Sequence, residues 1–486
     1  MRLAAVSSLF TPRVASTIVC VALAFLGVAP AFGQPTDARV KEILTQRIDV
    51  DKQAVGIAVV ITEGTNVRVV THGHTSLNKT DAVTGDTLFE VGSITKTFTA
   101  LLLADMVLKR EIKLDDPVER WLPQGSNGLK LRDHTGAPIR LIDLATHRSG
   151  LPRLPSNIDR SALKDPYVDY REKDLLLYLK EREAKVEADG GKITKKRDES
   201  YVYSNLGFGL LGYTLARAAN TTYSDLLQKR VLTPLGLPST YLDVPRKEFT
   251  RFSNGHRLHR GVALMEVSHW HFGLAAPAGA LVMSAKDIAR YGQAASGAID
   301  TPLRAAFELA QKRYGDGMSP MNPTGLAWIL ERLNGRTVVN HNGMTGGFAA
   351  SLWVDPERKS SVAVLSNANS AAVLDIGLHL MEPSIPLKSL AAMRATAVAV
   401  DAKTLAQYVG TYALTPTFSV AIRLRDGKLF AQATGQGEFE IFGKNETTFF
   451  ARITPLEIVF EDVKDGKAGS FALTQGGNTR KAKRVE

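Results

Sequence analysis

Runs of strand-like residues flank a long, mostly helical stretch of this chain. Two apolar runs near its start, 55–62 and 66–73, are joined by a glycine-containing turn and predict a hairpin. Strand character returns in three later runs, 335–343, 348–355 and 360–367. Because the residues between follow a helical period, we expect one antiparallel sheet built from both ends and flanked by helices. The predicted fold class is α+β, with an all-helical subdomain in the middle.

The sequence pattern changes again after a linker rich in Pro, Ala and Ser. Residues 418–453 alternate apolar and polar side chains between regularly spaced turn residues, which predicts an all-β, barrel-like module. We therefore expect a larger α+β domain over 34–385, a linker over 386–401 and a β domain over 402–486.

The first 33 residues have the pattern of an export signal. Two arginines precede a short apolar core at 18–28, and small residues follow it. Cleavage is expected after Ala31 or Gly33, which would place the mature protein in the periplasm or outside the cell. The alternative is an uncleaved membrane anchor, although Pro30 interrupts a stretch that is barely long enough to span. The only cysteine, Cys20, lies in this segment, so the mature chain would have no disulfide and no thiolate metal site.

The net charge of +11 is spread along the chain. The densest basic cluster, 192–197, has no interleaved aromatic residues, so we expect no nucleic-acid binding. A weak attraction to an acidic envelope polymer is the functional alternative to a solvated loop.

Three Ser-x-x-Lys strings compete for a catalytic role: Ser76–Lys79, Ser93–Lys96 and Ser161–Lys164. A nucleophilic serine needs a neighbour that removes its proton and donors for the oxyanion that forms. Only Ser93 stands at the start of an apolar helix, where a lysine three residues on shares its face and free N–H groups favour negative charge. Lys96 can act as a base only if burial and positive neighbours lower its pKa.

Three short motifs follow one another along the chain. Gly-Ser-Ile-Thr-Lys at 92–96, Tyr-Ser-Asn at 203–205 and His-Asn-Gly at 341–343 resemble the motifs of the serine β-lactamase and penicillin-binding protein superfamily, in its class C-type branch. Residues 141–156 and 276–291 are similar to further family segments, and the likeness is closest to AmpH-type D-alanyl-D-alanine carboxypeptidase/endopeptidases. Residues 402–486 resemble the lipocalin-like module of some of these hydrolases.

The resemblance implies a role for each matching residue. Ser93 would attack the carbonyl carbon and form an acyl-enzyme, while Lys96 and Tyr203 would share the proton transfers. Asn205 would hold the substrate amide. The backbone N–H groups of Ser93 and Met344 would form the oxyanion hole.

The third motif departs from the lysine that commonly precedes Thr-Gly in this family. His341 would contact the substrate carboxylate, and Gly343 would complete the motif. An ordinary histidine is only partly charged at neutral pH, so we expect activity on carboxylate substrates to rise as the pH falls from about 8 to about 6. His-x-Gly also occurs elsewhere, but outside strand-like runs, at His134, His259 and His271.

The resemblance implies an exported, penicillin-binding serine hydrolase that needs no cofactor and acts on D-alanyl peptides of peptidoglycan. Esterase, D-aminopeptidase and β-lactamase activities on the same scaffold are the alternatives. A non-catalytic cell-wall binding protein is the rival from another class, which the complete set of motif residues disfavours. Several histidines could bind a metal, but they lack carboxylates at ligand spacing: His72, His74, His256, His259, His269 and His271.

Overall fold

The structure is a computed structural model. It describes residues 35–123, 129–133, 135–158, 165–188, 201–259, 263–319, 321–390, 395–415, 418–434, 437–475 and 478–485. The predicted export signal, Ser161–Lys164 and the basic cluster at 192–197 lie outside these ranges. Within them, no helix combines the length and the apolar character that a membrane span requires.

An eight-stranded antiparallel sheet joins the two ends of the predicted larger domain. Across the sheet its strands are Asn66–Gly73, Gly56–Glu63, Ser360–Ser366, Ala349–Asp355, Arg336–Met344, Ile329–Leu333, Asn322–Thr324 and Gly315–Ser319. Ile57 lies opposite Ser366 and Glu63 lies opposite Ser360. The predicted α+β class and the sheet built from both ends are therefore confirmed.

The central strands of this sheet are buried on both faces. Ala58 and Val60 belong to the apolar core on one face, while Ile57, Val59 and Ile61 belong to the core on the other. This follows from the alternation of side chains along a strand. Since apolar residues occupy both sets of positions, helices must cover both faces.

Helices pack on each face of the sheet. The Thr95–Leu108 helix lies in the larger core, with every residue from Thr95 to Met106 buried. The Asp37–Thr45 and Asp375–Met381 helices cover the opposite face. The remaining α-helices are Leu141–Ala145, Glu172–Ala188, Asn205–Ala218, Tyr223–Leu227, Thr233–Leu235, Ala276–Gly279, Ala285–Ser296, Arg304–Ala310 and Ala402–Gln407.

Short strands that the sequence pattern does not predict also occur in the middle of the chain. They form two three-stranded sheets, Leu88–Glu90 with Val282–Ser284 and Thr240–Tyr241, and Ala368–Asn369 with Gly255–His259 and Ala263–Val267. Most have two or three residues, which is too few to display a period of two.

The C-terminal module is a closed eight-stranded barrel, as the all-β pattern predicts. Its strands are Gly410–Thr415, Phe418–Arg425, Lys428–Ala433, Phe439–Gly443, Thr448–Ala451, Leu456–Lys464, Lys467–Gln475 and Asn478–Arg484. Tyr412 lies opposite Arg484 where the first and last strands pair. Aromatic rings fill the interior, and Tyr408 stacks on Phe460 with ring centroids 4.1 Å apart.

Both ends of the predicted linker contact neighbouring structure. The backbone N–H of Lys388 donates to Oδ2 of Asp375 at 2.8 Å. The backbone N–H of Val398 donates to the carbonyl of Gly443, in the barrel, at 2.8 Å. The expected domain limits at 385 and 402 stay a prediction.

Candidate active site

Ser93 lies at the entrance to the most deeply buried helix of the larger domain. It occupies a single 3-10 turn, Gly92–Ile94, which leads directly into the Thr95–Leu108 helix. Ser93 is half-buried, whereas Lys96, one turn further on, is completely buried. The two side chains share a face of the turn, as the spacing predicts.

The ammonium nitrogen of Lys96 is held by three oxygens. Nζ donates to Oγ of Ser93 at 3.0 Å, to Oδ1 of Asn205 at 2.9 Å and to the carbonyl of Ala278 at 2.6 Å. Burial, followed by the positive charge of Arg153, holds the pKa of Lys96 well below its usual value. A lysine in this environment has a neutral form that can accept a proton from the serine hydroxyl.

Tyr203 lies against the same lysine. Its ring centroid is 4.9 Å from Nζ of Lys96 and 5.2 Å from the guanidinium carbon of Arg153. Burial raises the pKa of the Tyr203 phenol, although a hydrogen bond with Ser93 and the charge of Arg153 act in the opposite direction. The phenol therefore stays protonated at neutral pH, which makes it a proton donor.

Asn205 is placed by the start of a helix. The hydroxyl of Ser204 accepts from the backbone N–H of Gly207 at 2.8 Å and caps the Asn205–Ala218 helix. The Asn205 side chain then bridges two groups, because Oδ1 accepts from Lys96 and Nδ2 donates to the Tyr167 hydroxyl at 2.8 Å. Its amide is thus fixed in one orientation beside Lys96.

Two glycines allow the turn that carries Ser93 to approach the backbone of Met344. A Cβ on Gly92 would lie 2.7 Å from the nitrogen of Met344, and a Cβ on Gly343 would lie 3.0 Å from the nitrogen of Ser93. Gly92 also has a φ of 51°, which residues with side chains rarely adopt. This close approach between the turn and the edge of the Arg336–Met344 strand requires both glycines.

His341 lies on the predicted strand, but its charge differs from the expectation. Its side chain is buried, and Nδ1–H donates to the carbonyl of Asn342 at 2.7 Å. Burial and the nearby Lys96 lower the pKa of His341 to about 3. The expectation of a partly charged ring near neutral pH was therefore wrong, because an ordinary pKa does not apply to a ring removed from water.

No site role was predicted from the sequence for Tyr167, Arg153, His147 or the carbonyl of Ala278. Ring centroids of His147 and Tyr203 are 4.3 Å apart. His147 and Arg153 lie in the 141–156 segment and Ala278 lies in the 276–291 segment, so the likeness of these segments to the family was the signal that could have found them. Tyr167 lies in neither segment.

The competing candidates have other partners. Oγ of Ser76 donates to Glu266 at 2.9 Å, and Lys79 is exposed. Histidines that were weighed as metal ligands bond instead to single oxygens: His72 to Asp49, His256 to the carbonyl of Asn367, His269 to Glu90 and His271 to Asp165. Within the described ranges, no group of three or more His, Cys, Asp or Glu side chains could hold a metal.

Known proteins resemble this chain over most of its length. Residues 36–379 match the family model described as Beta-lactamase, and residues 394–483 match a domain of unknown function (DUF3471). A beta-lactamase of Escherichia coli (strain K12) is 28% identical over 348 residues, covering 65% of this chain and 84% of that protein.

Two further proteins bear on the choice of reaction. The D-alanyl-D-alanine-carboxypeptidase/endopeptidase AmpH of Escherichia coli (strain K12) is 29% identical over 187 residues, covering 38% of this chain and 45% of that relative. The crystal structure of a class C beta lactamase from Rhodobacter sphaeroides has a TM-score of 0.55 and 25% identity, covering 68% of this chain and 94% of that one.

Proposed function

Because the chain belongs to the beta-lactamase family of serine hydrolases, we propose that Ser93 forms an acyl-enzyme with D-alanyl peptides of peptidoglycan. The protein would be a penicillin-binding D-alanyl-D-alanine carboxypeptidase/endopeptidase. The observation that carries this proposal is the buried Lys96, whose Nζ lies 3.0 Å from Oγ of Ser93. That distance permits direct proton transfer.

The first step is attack by Ser93 on the substrate carbonyl carbon. Neutral Lys96 takes the hydroxyl proton as Oγ bonds to the carbon, and the carbonyl oxygen becomes an oxyanion. Backbone N–H groups of Ser93 and Met344 donate to that oxyanion, and Asn205 orients the substrate amide. The two glycines at the turn and the strand support this role because they allow the donors to converge.

Collapse of the tetrahedral intermediate breaks the bond to the leaving amine. The protonated phenol of Tyr203 supplies the proton to the amine, and Lys96 returns a proton to the phenol. Water then attacks the acyl-enzyme and releases the acid, with the same two side chains moving its protons. Because burial raises the pKa of Tyr203, the phenol is protonated at neutral pH and carries the proton that this step needs.

Two observations keep other reactions open as second candidates. Similarity to beta-lactamases supports rapid hydrolysis of the penicilloyl-enzyme equally well. A neutral His341 removes the fixed charge expected at the third motif, which favours a neutral ester. Intact geometry at Ser93 argues against a purely non-catalytic wall-binding protein.

Labelling with a fluorescent penicillin tests the proposed function. We expect one adduct, mapped by peptide mass to Ser93, and its loss in Ser93→Ala. Ser76→Ala is the matched control because Ser76 stands in another Ser-x-x-Lys string, and it should label normally. An adduct that survives Ser93→Ala would reject the assignment. The lifetime of the penicilloyl adduct then distinguishes two kinds of protein. An adduct that lasts for hours indicates a penicillin-binding protein, and one that lasts for seconds or less indicates a β-lactamase.

Cell fractionation tests the proposed location. The N-terminal pattern and the peptidoglycan substrate both support an exported enzyme, associated at most peripherally with the envelope. The mature N-terminus is expected near residue 32 or 34 in the periplasmic or secreted fraction, which N-terminal sequencing would show.

A further inference from the structure

The Ser93 site needs a positive charge if its substrate carries a carboxylate. Neither His341 nor Lys96 supplies that charge. His341 is neutral because its pKa is about 3, and Lys96 is buried with its pKa far below the usual value. If Lys96 were charged, it could not act as the base. A different group must therefore balance a bound anion.

Arg153 is the guanidinium that faces this site. Its guanidinium carbon lies 5.2 Å from the Tyr203 ring centroid. Its positive charge acts to lower the pKa values of Lys96, His147 and Tyr167. The side chain is exposed. Among the residues that the structure describes, its guanidinium forms no hydrogen bond or ion pair, and it lies over the Tyr203 ring.

The backbone fixes Arg153 relative to the reacting groups. Its carbonyl accepts from the backbone N–H groups of Asn205 and Leu206 at 3.1 and 3.3 Å. The preceding carbonyl, of Pro152, accepts from the hydroxyl of Ser204 at 2.7 Å. Consequently the arginine is attached to the same helix start that positions Asn205 and Tyr203.

We propose that Arg153 binds the carboxylate of the substrate and makes the Ser93 site selective for anionic acyl donors. A guanidinium remains charged at every physiological pH and can donate two parallel hydrogen bonds to a carboxylate. This inference rests on the proposed acyl-enzyme at Ser93. In this inference Arg153 supplies the positive charge that the neutral His341 does not provide.

Two other arginines lie in the same region of the domain. The guanidinium of Arg148 already donates to the carbonyl of Asp316 at 2.6 Å. Arg257 lines a neighbouring groove of about 850 Å³, together with Trp270, Gly346 and Asn369. Arg257 is therefore the rival cation, and it provides a matched control.

The test compares benzylpenicillin with its methyl ester, which differ only in the carboxylate. Second-order rate constants for acylation of Ser93 are measured by intact mass for the unsubstituted protein, Arg153→Gln, Arg153→Lys and Arg257→Gln. We expect Arg153→Gln to slow benzylpenicillin about tenfold to a hundredfold, as for a lost charged hydrogen bond. For the methyl ester, the acylation rate constant of Arg153→Gln should lie within about twofold of that of Arg257→Gln. Arg153→Lys should recover part of the rate because it keeps the charge.

Two results would overturn the inference. Equal slowing of both compounds by Arg153→Gln would mean that the arginine acts only through Lys96 or the fold. A selective loss in Arg257→Gln, with Arg153→Gln unaffected, would assign the carboxylate to the groove. If neither compound acylates Ser93 in the unsubstituted protein, the proposed function itself fails and the inference with it.

Discussion

The backbone N–H of Ser204 donates to Nδ1 of the buried His147 ring at 3.0 Å. The neighbouring N–H of Val202 donates to the His147 carbonyl at 2.8 Å, so both sides of Tyr203 are tied to one residue. Because Nδ1 accepts, the proton of the neutral ring is on Nε2. Burial, followed by the nearby basic groups of Lys96, His341 and Arg153, lowers the pKa of His147 and keeps the ring neutral.

His147 is predicted to position Tyr203. His147→Phe keeps an aromatic ring but removes the acceptor, and we expect acylation by penicillin to slow about tenfold, as for a buried donor left unpaired. His147→Asn can replace the acceptor and should recover part of the rate. If both variants acylate at the normal rate, the bond to Ser204 has no part in placing the phenol. Circular dichroism would check that each variant is folded.

Lys96 should make the stability of the protein depend on pH. Its pKa is lowered in the folded state, so between the folded and the unfolded pKa the unfolded chain binds more protons. The free energy of unfolding should therefore rise as the pH rises from the folded pKa towards about 10.4, by at most about 1.4 kcal/mol per pH unit. Urea unfolding between about pH 6 and about pH 9 measures the slope. Lys96→Met should reduce it, while Lys79→Met, an exposed control, should not.

His341 should not contribute to the pH dependence of substrate choice. With a pKa of about 3, its ring stays neutral from about pH 5 to about pH 8. The ratio of acylation rates for benzylpenicillin and its methyl ester should then be constant across that range. His341→Asn should give an equally flat ratio. A ratio that rises as the pH falls, and does so only with His341 present, would show that the histidine titrates in the active enzyme.

Tyr167 is predicted to hold the Asn205 amide. Tyr167→Phe removes the oxygen that accepts from Nδ2 while keeping the ring stacked on Phe272, at a centroid distance of 5.1 Å. Loss of one hydrogen bond worth about 1 kcal/mol should reduce kcat/KM for a D-alanyl peptide about fivefold. Tyr170→Phe is the control, since its hydroxyl bonds to Asn157 instead. Equal losses in the two variants would point to a general packing defect.

The barrel is predicted to be dispensable for acylation. Its apolar core draws on residues 405–482, and the cores on the two faces of the sheet draw on none of them. A chain ending at Leu390 should melt cooperatively and still be labelled at Ser93 by penicillin. If the shortened chain does not melt cooperatively, the two domains stabilise each other and the predicted limits at 385 and 402 need revision.

Features that depend on a local sequence pattern could be predicted from the sequence. The family resemblance is confirmed, and Ser93, Lys96, Tyr203 and Asn205 are brought together as their motif order predicts. Two apolar runs joined by a glycine-containing turn identified the hairpin at 56–73, and alternation of apolar and polar residues identified the barrel.

Properties that depend on packing between distant parts of the chain could not be predicted from the sequence. The pKa of His341 is set by the burial of its ring and by Lys96, neither of which the third motif encodes. Similarly, Tyr167 reaches Asn205 from an isolated position, and Arg153 lies against the Tyr203 ring, 50 residues away in sequence. Such effects need the three-dimensional neighbours of a residue.

The pairing of the Gly56–Glu63 strand with the Ser360–Ser366 strand also determines when, during synthesis, the sheet can be completed. Thr62 and Ser361, which share a hydrogen bond at 2.8 Å, are 299 residues apart in the chain. Closing so long a loop has a substantial entropic cost and favours slow folding. A chain emerging from the ribosome therefore cannot complete its sheet until Ser366 is released. Until then Met344 has no fixed place beside Ser93, so a chain in transit would not react with acyl donors.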